Sequence, residues 1–252
     1  MKCVITGGAS GLGLALANTF YSNGYEIVII DINREKLDQI KNNITCITYQ
    51  VDLTNEEGVT NLVDELVTKH SNMSVFINNA GIGFSNYFHE IKPSMQERTI
   101  NLNCVALTKL TFSAIEIFRK QNQKVQYIIN LASSVSFAPL PFMSVYAATK
   151  SYVYNFSEAI REEYKNKVNI LTVCPSGIDT SFQDTAGVSK NKEGGGLLSP
   201  EYVSAKIFKA VKSGNSGVLK IGFKSNLFFI LNKALPLKIM TYLMKKSFQK
   251  YR

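Results

Sequence analysis

Short, nearly continuous runs of β-branched and aliphatic residues alternate along the chain with longer stretches of helical periodicity. The strand candidates are KCVIT (2–6), EIVII (26–30), ITCITYQ (44–50), VFIN (75–78), VQYIINL (125–131), NILTVC (169–174) and GVLKI (217–221). Runs without polar alternation suit parallel strands buried on both faces. Helical spacing covers roughly 11–23, 34–42, 55–69, 93–120, 144–165 and 200–213, with Thr54 and the Ser199-Pro200 pair as starts. Seven strands joined by helical crossovers predict an α/β, doubly wound parallel sheet with helices on both faces. No linker interrupts residues 1–222, which are expected to form one domain; 223–252 reads as a C-terminal helical extension. The polar stretch 183–196, ending in Gly194-Gly195-Gly196, reads as a mobile loop.

Composition supports a well-filled core: 45% of the 252 residues are hydrophobic and 19% charged, which excludes a disordered chain. Cys3, Cys46, Cys104 and Cys174 lack metal-ligand spacing and lie in or beside apolar stretches. They read as reduced thiols of a cytoplasmic protein. Neither a secretory apolar region nor an apolar run of about 18 residues is found, so no membrane span is expected. The net charge of +9 is localised: residues 220–252 hold eight Lys/Arg and no Asp or Glu, leaving twenty basic and nineteen acidic groups before them. A nucleic-acid-binding face spread over the domain is therefore not expected.

The chemistry begins after the first strand, at Thr6-Gly-Gly-Ala-Ser-Gly-Leu-Gly13, followed by an apolar helix. Small residues let backbone approach a pyrophosphate, and N–H groups at a helix start face it. A tight strand–helix connection would use the same glycines. The candidate phosphate-binding set is Gly7, Ser10, Gly11, Leu12 and Gly13. Asp31 ends the second strand, twenty residues after Gly11. A carboxylate there accepts hydrogen bonds from both adenine-ribose hydroxyls and repels a 2′-phosphate, so NAD is expected over NADP. Ile32 follows it, and Arg34 is the rival signal. Asp52 and Leu53 follow the third strand; Asp52 is either a turn aspartate or a partner of the adenine amino group.

Tyr146 and Lys150 are spaced i, i+4 on one helix, so they share a face. An ammonium beside a phenol favours the phenolate and is expected to lower the tyrosine pKa, making Tyr146 a candidate general acid–base. Ser133 lies just past the strand ending YIINL, at the sheet edge where ligands bind, with Ser134 as competitor. Its hydroxyl would hold a substrate oxygen. His70 and His89 are placed in surface turns, and no cluster suggests a metal.

Together, T-G-x-x-x-G-x-G, Asn78-Asn-Ala-Gly81 and Ser133…Tyr146-x-x-x-Lys150 resemble the short-chain dehydrogenase/reductase family, in its motif order over residues 1–222. The resemblance implies a Rossmann-type sheet of about seven strands in the order 3-2-1-4-5-6-7. It also implies a nicotinamide cofactor contacted by Asn79, Ala80 and Gly81, and a homodimer or homotetramer through helices 93–120 and 144–165. The family's catalytic asparagine matches Asn101 in INLNCVAL, with Asn103 as the fallback; Cys104 stands where many members have glycine. Pro175-Ser-Gly-Ile-Asp-Thr180 resembles the segment covering the nicotinamide, implying contacts from Pro175, Gly177, Ile178 and Thr180; the serine after Pro175 is a departure. The implied roles are Lys150 on the nicotinamide ribose, Ser133 on the substrate oxygen, Tyr146 exchanging its proton, and Asn101 holding a water to Lys150.

Phe137, Leu140, Pro141, Phe142 and Met143 read either as a substrate wall or as loop packing, with 182–198 as a lid. They point to a lipophilic or aliphatic alcohol or carbonyl. The tail FKSNLFFILNKALPLKIMTYLMKKSFQKYR is apolar, aromatic and purely basic. Packing over the cleft is favoured; lying in an anionic lipid interface, as a membrane-peripheral protein, is the second reading. A nucleotide-binding regulator without turnover is the competing function, and the presence of both Tyr146 and Lys150 argues against it.

Overall fold

Seven strands form one parallel sheet: β1 Lys2–Thr6, β2 Glu26–Asp31, β3 Cys46–Gln50, β4 Met73–Asn78, β5 Tyr127–Leu131, β6 Asn169–Pro175 and β7 Gly217–Ile221. Their order is β3-β2-β1-β4-β5-β6-β7, as the resemblance implied, and every pairing is parallel. The computed structural model describes residues 1–121, 126–188 and 196–248. The start of the predicted fifth strand, Val125, lies outside the described residues, as do Gly194 and Gly195 of the expected mobile loop.

Among the described residues, ten α-helices connect or flank the strands: α1 Gly11–Ser22, α2 Arg34–Lys41, α3 Glu56–Lys69, α4 Pro93–Ile100, α5 Leu107–Arg119, α6 Ser144–Glu163, α7 Phe182–Ala186, α8 Pro200–Lys212, α9 Phe223–Ala234 and α10 Leu237–Phe248. The two-residue period of the strands divides the core. Cys3, Ile5, Ile27, Ile29, Val75 and Ile77 pack with Leu16 and Phe20 of α1 and Val203 and Ile207 of α8. Val4, Val28, Ile30, Phe76 and Ile128 face the opposite way, onto Leu62 and Leu66 of α3 and Leu110 and Phe118 of α5. Burial on both faces explains why the strands read as unbroken apolar runs.

One buried polar line crosses the sheet. Asn78 Nδ2 donates to Thr111 Oγ1 at 3.0 Å and to Asn130 Oδ1 at 2.9 Å, and Asn130 Nδ2 donates to Ser157 Oγ at 2.9 Å. It ties β4 and β5 to α5 and α6, the latter carrying Tyr146 and Lys150.

The structure departs from the sequence expectation in three places, and the tail follows it. The helix expected over 93–120 is α4 and α5 joined by a π-helical turn, Asn101–Ala106. Part of the expected loop 183–196 is helical, as α7. His70 is buried, not in a surface turn: it is 2% exposed, its Nε2 lies 2.9 Å from Tyr49 Oη, and burial lowers its pKa. The tail forms α9 and α10, which pack on the domain. Met240 and Met244 are buried with Leu140, Met143 and Ala186. The cysteines are free, Cys3 and Cys174 fully buried and Cys46 and Cys104 partly so.

Candidate active site

The strand order reverses between β1 and β4, so the crossovers leaving these strands diverge and open a crevice at their carboxyl ends. Thr6 and Asn79 close the floor of that crevice. The Thr6 hydroxyl donates to Ile77 O at 3.3 Å and accepts from the N–H groups of Asn79 and Ala80, both at 3.1 Å. Asn79 Nδ2 in turn donates to Thr6 O and Gly7 O, both at 3.0 Å. The phosphate-loop glycines are packed against this junction: a Cβ on Gly13 would stand 2.0 Å from Gly7 O and 2.7 Å from Asn79 Nδ2. No larger residue fits there, so the start of α1 sits directly on the loop, its first N–H groups facing the crevice.

At the far end of the loop Asp31 Oδ2 accepts from Ala9 N–H and Oδ1 from Asn33 N–H, both at 3.0 Å, which aims the carboxylate along the crevice. Arg34 is paired with Asp38 at 2.8 Å and does not line the crevice; Lys36 does. Asp52 Oδ1 accepts from the Thr54 N–H at 2.9 Å and its hydroxyl at 2.7 Å, while Arg98 Nη2 lies 3.4 Å from Oδ2. Burial works against its ionisation, but these partners outweigh it and lower its pKa. Asp52 is therefore both the turn aspartate and a wall of the crevice.

At the catalytic end, a short 3₁₀ turn, Ser134–Phe137, follows β5 with Ser133 as its N-cap. Ser133 N–H donates to Ser136 Oγ at 3.2 Å, and Ser136 Oγ donates to Lys150 O at 2.9 Å, locking the turn to α6. Ser134 is buried beneath it, whereas Ser133 opens on the crevice that Tyr146 also lines, and it favours the ionised form of that phenol. Gly83 makes room for the phenol, since a Cβ there would fall 2.6 Å from Tyr146 Cδ2. Lys150 is 5% exposed; its Nζ donates to Leu131 O at 2.7 Å and stands 5.8 Å from the Tyr146 ring centroid.

Burial dominates both ionisations. It pushes Tyr146 up to about 12, with the Ser133 hydroxyl pulling the other way, and brings Lys150 down to about 8. The expected lowering of the tyrosine pKa by Lys150 is thus not found. Desolvation of the phenol is the largest cause.

Asn101 does not reach the site: it is exposed. Asn103 is there instead, 1% exposed, its Nδ2 donating to Ile82 O at 2.9 Å and to Thr149 Oγ1 at 3.0 Å, its Oδ1 accepting from Ile82 N–H at 3.0 Å. Asn103 Oδ1 and Lys150 Nζ flank Gly81, each 3.3 Å from where its Cβ would stand. The π-turn causes the shift, because its wider turn changes which residues of the segment face α6.

After β6 the chain crosses over the crevice. Gly177 O accepts from Leu198 N–H and Leu198 O from Asp179 N–H, both at 2.9 Å. This holds Ile178 in place and sets Thr180 Cγ2 3.0 Å from where a Cβ on Gly11 would stand. The departure from the family pattern, Ser176, is buried, and its Oγ accepts from Ser225 N–H at 3.1 Å. Ser225 Oγ donates to Cys174 O at 2.6 Å, so α9 is bonded to the end of β6.

Every expected catalytic and cofactor-binding residue except Asn101 lines a single continuous cavity of about 1290 Å³; of the expected substrate wall Leu140 and Met143 line it, and Phe137, Pro141 and Phe142 do not. One end is the Gly7–Asp31–Asp52 region. The other is an apolar chamber of Phe84, Leu140, Met143, Phe182, Phe228 and Met244, with the Phe182 ring 5.3 Å from that of Tyr146. The glycine cradle, the fixed carboxylate and the length of the cavity fit a dinucleotide lying with its reactive end at Tyr146. Sequence reasoning missed Gly83 and Ser136; of these, Gly83 alone carried a signal, as the glycine two residues beyond Asn-Asn-Ala-Gly, while Phe182, expected in a lid, lines the cavity. No His/Cys/Asp/Glu cluster among the described residues suits a metal.

Comparison with known proteins agrees with this geometry. The very-long-chain 3-oxoacyl-CoA reductase of Mus musculus is 32% identical over 193 residues, 71% of this chain, and the chain spans 60% of that protein's length. The protein of the same name from Anas platyrhynchos is 27% identical over 259 residues, covering 98% of this chain and 80% of its own. Among solved structures, a short-chain dehydrogenase from Sphingobium yanoikuyae in complex with NADPH superposes with a TM-score of 0.78 at 25% identity, over 87% of each chain. A Brucella melitensis 3-ketoacyl-(acyl-carrier-protein) reductase complexed with NADH gives 0.79 at 23% identity, over 87% of this chain and 96% of its own, which bears on the fold alone. Residues 2–191 match the short chain dehydrogenase family, and the chain belongs to that family of nicotinamide-dependent oxidoreductases.

Proposed function

We propose that this oxidoreductase interconverts an alcohol and a carbonyl on a lipophilic, long-chain substrate, with NAD(H) as the preferred cofactor and Asn103, Ser133, Tyr146 and Lys150 as its catalytic residues. The observation that carries the reading is that Ser133, Tyr146 and Lys150 line one cavity between a dinucleotide-shaped crevice and an apolar chamber. The bound nicotinamide supplies the hydride acceptor or donor. Ser133 and Tyr146 hold the substrate oxygen. In the reductive direction the protonated Tyr146, far below its pKa of about 12, gives its proton to the developing alkoxide. Lys150 holds the ribose hydroxyls, and its ammonium favours the phenolate left behind. Asn103 positions Lys150 by fixing the Ile82 backbone beside Gly81.

The carboxylate of Asp31 and the diversion of Arg34 into a pair with Asp38 support NAD(H). The long-chain substrate is supported by the chamber walls and by the names of the relatives, which act on very-long-chain 3-oxoacyl thioesters. A homodimer through α4, α5 and α6 is supported by four large apolar side chains these segments leave exposed, Ile100, Val105, Phe112 and Tyr152.

Tyr146→Phe is expected to lower kcat by about 10² to 10⁴, measured as nicotinamide absorbance. Asn103→Ala should lower it too, while Asn101→Ala stays within about twofold; equal losses from the two asparagines would remove Asn103 from the mechanism. Lys150 is charged only below about 8, so kcat/KM for the cofactor should be level at lower pH and fall as pH rises through that value. Lys150→Arg, whose guanidinium does not titrate in this range, should keep the profile level; a break unchanged in this variant would assign it elsewhere. In a panel of short, long-chain and steroid-like carbonyls, kcat/KM should rise with chain length and favour NADH, and Asp31→Ser should shift the preference towards NADPH by about tenfold. A wild-type preference for NADPH would overturn the reading of Asp31. Sedimentation equilibrium at micromolar concentration should give twice the 28.0 kDa chain mass, and a monomer would dismiss the dimer.

A further inference from the structure

The two C-terminal helices each carry two apolar faces where packing on the domain needs only one. On α9, Ser225, Phe228 and Phe229 turn inward. Phe223, Leu227 and Ile230, at i, i+4 and i+7, form a stripe on the opposite side. Phe223 is 79% exposed and Ile230 61%. On α10, Met240 and Met244 are buried while Ile239, Tyr242 and Leu243 share an outward face, Tyr242 being 63% exposed. Phe228 and Leu231 of α9 join Met240, Met244 and Phe248 of α10 in one apolar cluster, so both helices turn their outer faces away from the same body.

The charge around these faces has one sign. The eight basic and no acidic residues of 220–252 include the exposed Lys238, Lys245 and Lys246 of α10. A protein partner does not require such a bias, and a second copy of this chain would set these cations against their own kind. An anionic lipid surface meets both demands, taking the aromatic and aliphatic side chains at the acyl boundary and the ammonium groups among the headgroups. We propose that the outer face of α9 and α10 docks the enzyme on anionic membranes. Among the described residues no helix is long and apolar enough to cross a membrane, so contact is interfacial. The inner faces of the same helices supply Phe228 and Met244 to the chamber beside Tyr146. Docking therefore brings a chamber proposed to take lipophilic substrates to the surface where they concentrate; this clause rests on the proposed function, and the docking itself does not.

The test is co-sedimentation of the full chain with phosphatidylcholine vesicles with and without 30% phosphatidylserine, at 50 and 500 mM salt, where the three settings are choices of about the right range for surface electrostatics. Binding to the anionic vesicles should exceed binding to phosphatidylcholine alone by about tenfold or more and weaken at high salt. The combined variant Phe223→Ser, Ile230→Ser, Tyr242→Ser, Leu243→Ser should lose about tenfold of it. Its circular dichroism and its turnover of a short, water-soluble carbonyl should match wild type, which separates failure of docking from failure of catalysis. A variant that misfolds is replaced by Lys238→Gln, Lys245→Gln, Lys246→Gln, which should lose the preference for anionic vesicles. Absence of vesicle binding by the full chain, equal binding to both vesicle types, or a halving of mass in the apolar variant, which would mark the face as a contact between copies, each overturns the proposal.

Discussion

The junction between Thr6 and Asn79 is the constraint on which the site depends. Two adjacent parallel strands end here with their connections leaving in opposite directions, and their terminal backbone groups would lose partners as the ladder stops. One hydroxyl and one carboxamide satisfy four of those groups, two N–H and two carbonyl, and in doing so fix the phosphate loop against the segment from Ala80 to Gly83. Gly13 can then approach Gly7, and Gly83 can admit the phenol of Tyr146. Displacing either strand end would misplace the cofactor cradle and the catalytic pocket together.

Within that frame the acid–base pair is built by desolvation. A phenol near 12 and an ammonium near 8 are both driven towards their neutral forms by the same enclosed floor. In the proposed reaction such a site would hold its proton firmly on oxygen until charge develops on the substrate. The Ser133 hydroxyl and the Lys150 ammonium then act at short range in a medium that screens them weakly.

The sheet, its order and most of the cleft were legible in the sequence because they rest on local signals: apolar runs, glycines at a turn, and spacing on a helix. Asp31, Ser133, Tyr146 and Lys150 stand where those signals placed them. What was not legible depended on geometry that periodicity does not encode. The π-turn at Asn101–Ala106 moved the inward position to Asn103. His70 reads as a turn residue, yet the edge strand carrying Tyr49 folds over it. The expectation that Lys150 lowers the tyrosine pKa was not met, because burial of the phenol dominates and how deeply it sits is reported by no spacing. Likewise Ser176 stood out only as an interruption of a motif; its role appears once Ser225 is beside it.

That pair of serines has a thermodynamic consequence. Ser176 belongs to the segment that crosses the crevice, and Ser225 to the first turn of α9. The first turn of the helix and the crossing segment are therefore joined directly by this hydrogen bond. By reciprocity, any ligand that steadies the segment stabilises the seated helix, and whatever holds the helix returns the same free energy to the ligand. The chain's C-terminal helices are thus tied to the crevice through the hydroxyl groups of Ser176 and Ser225.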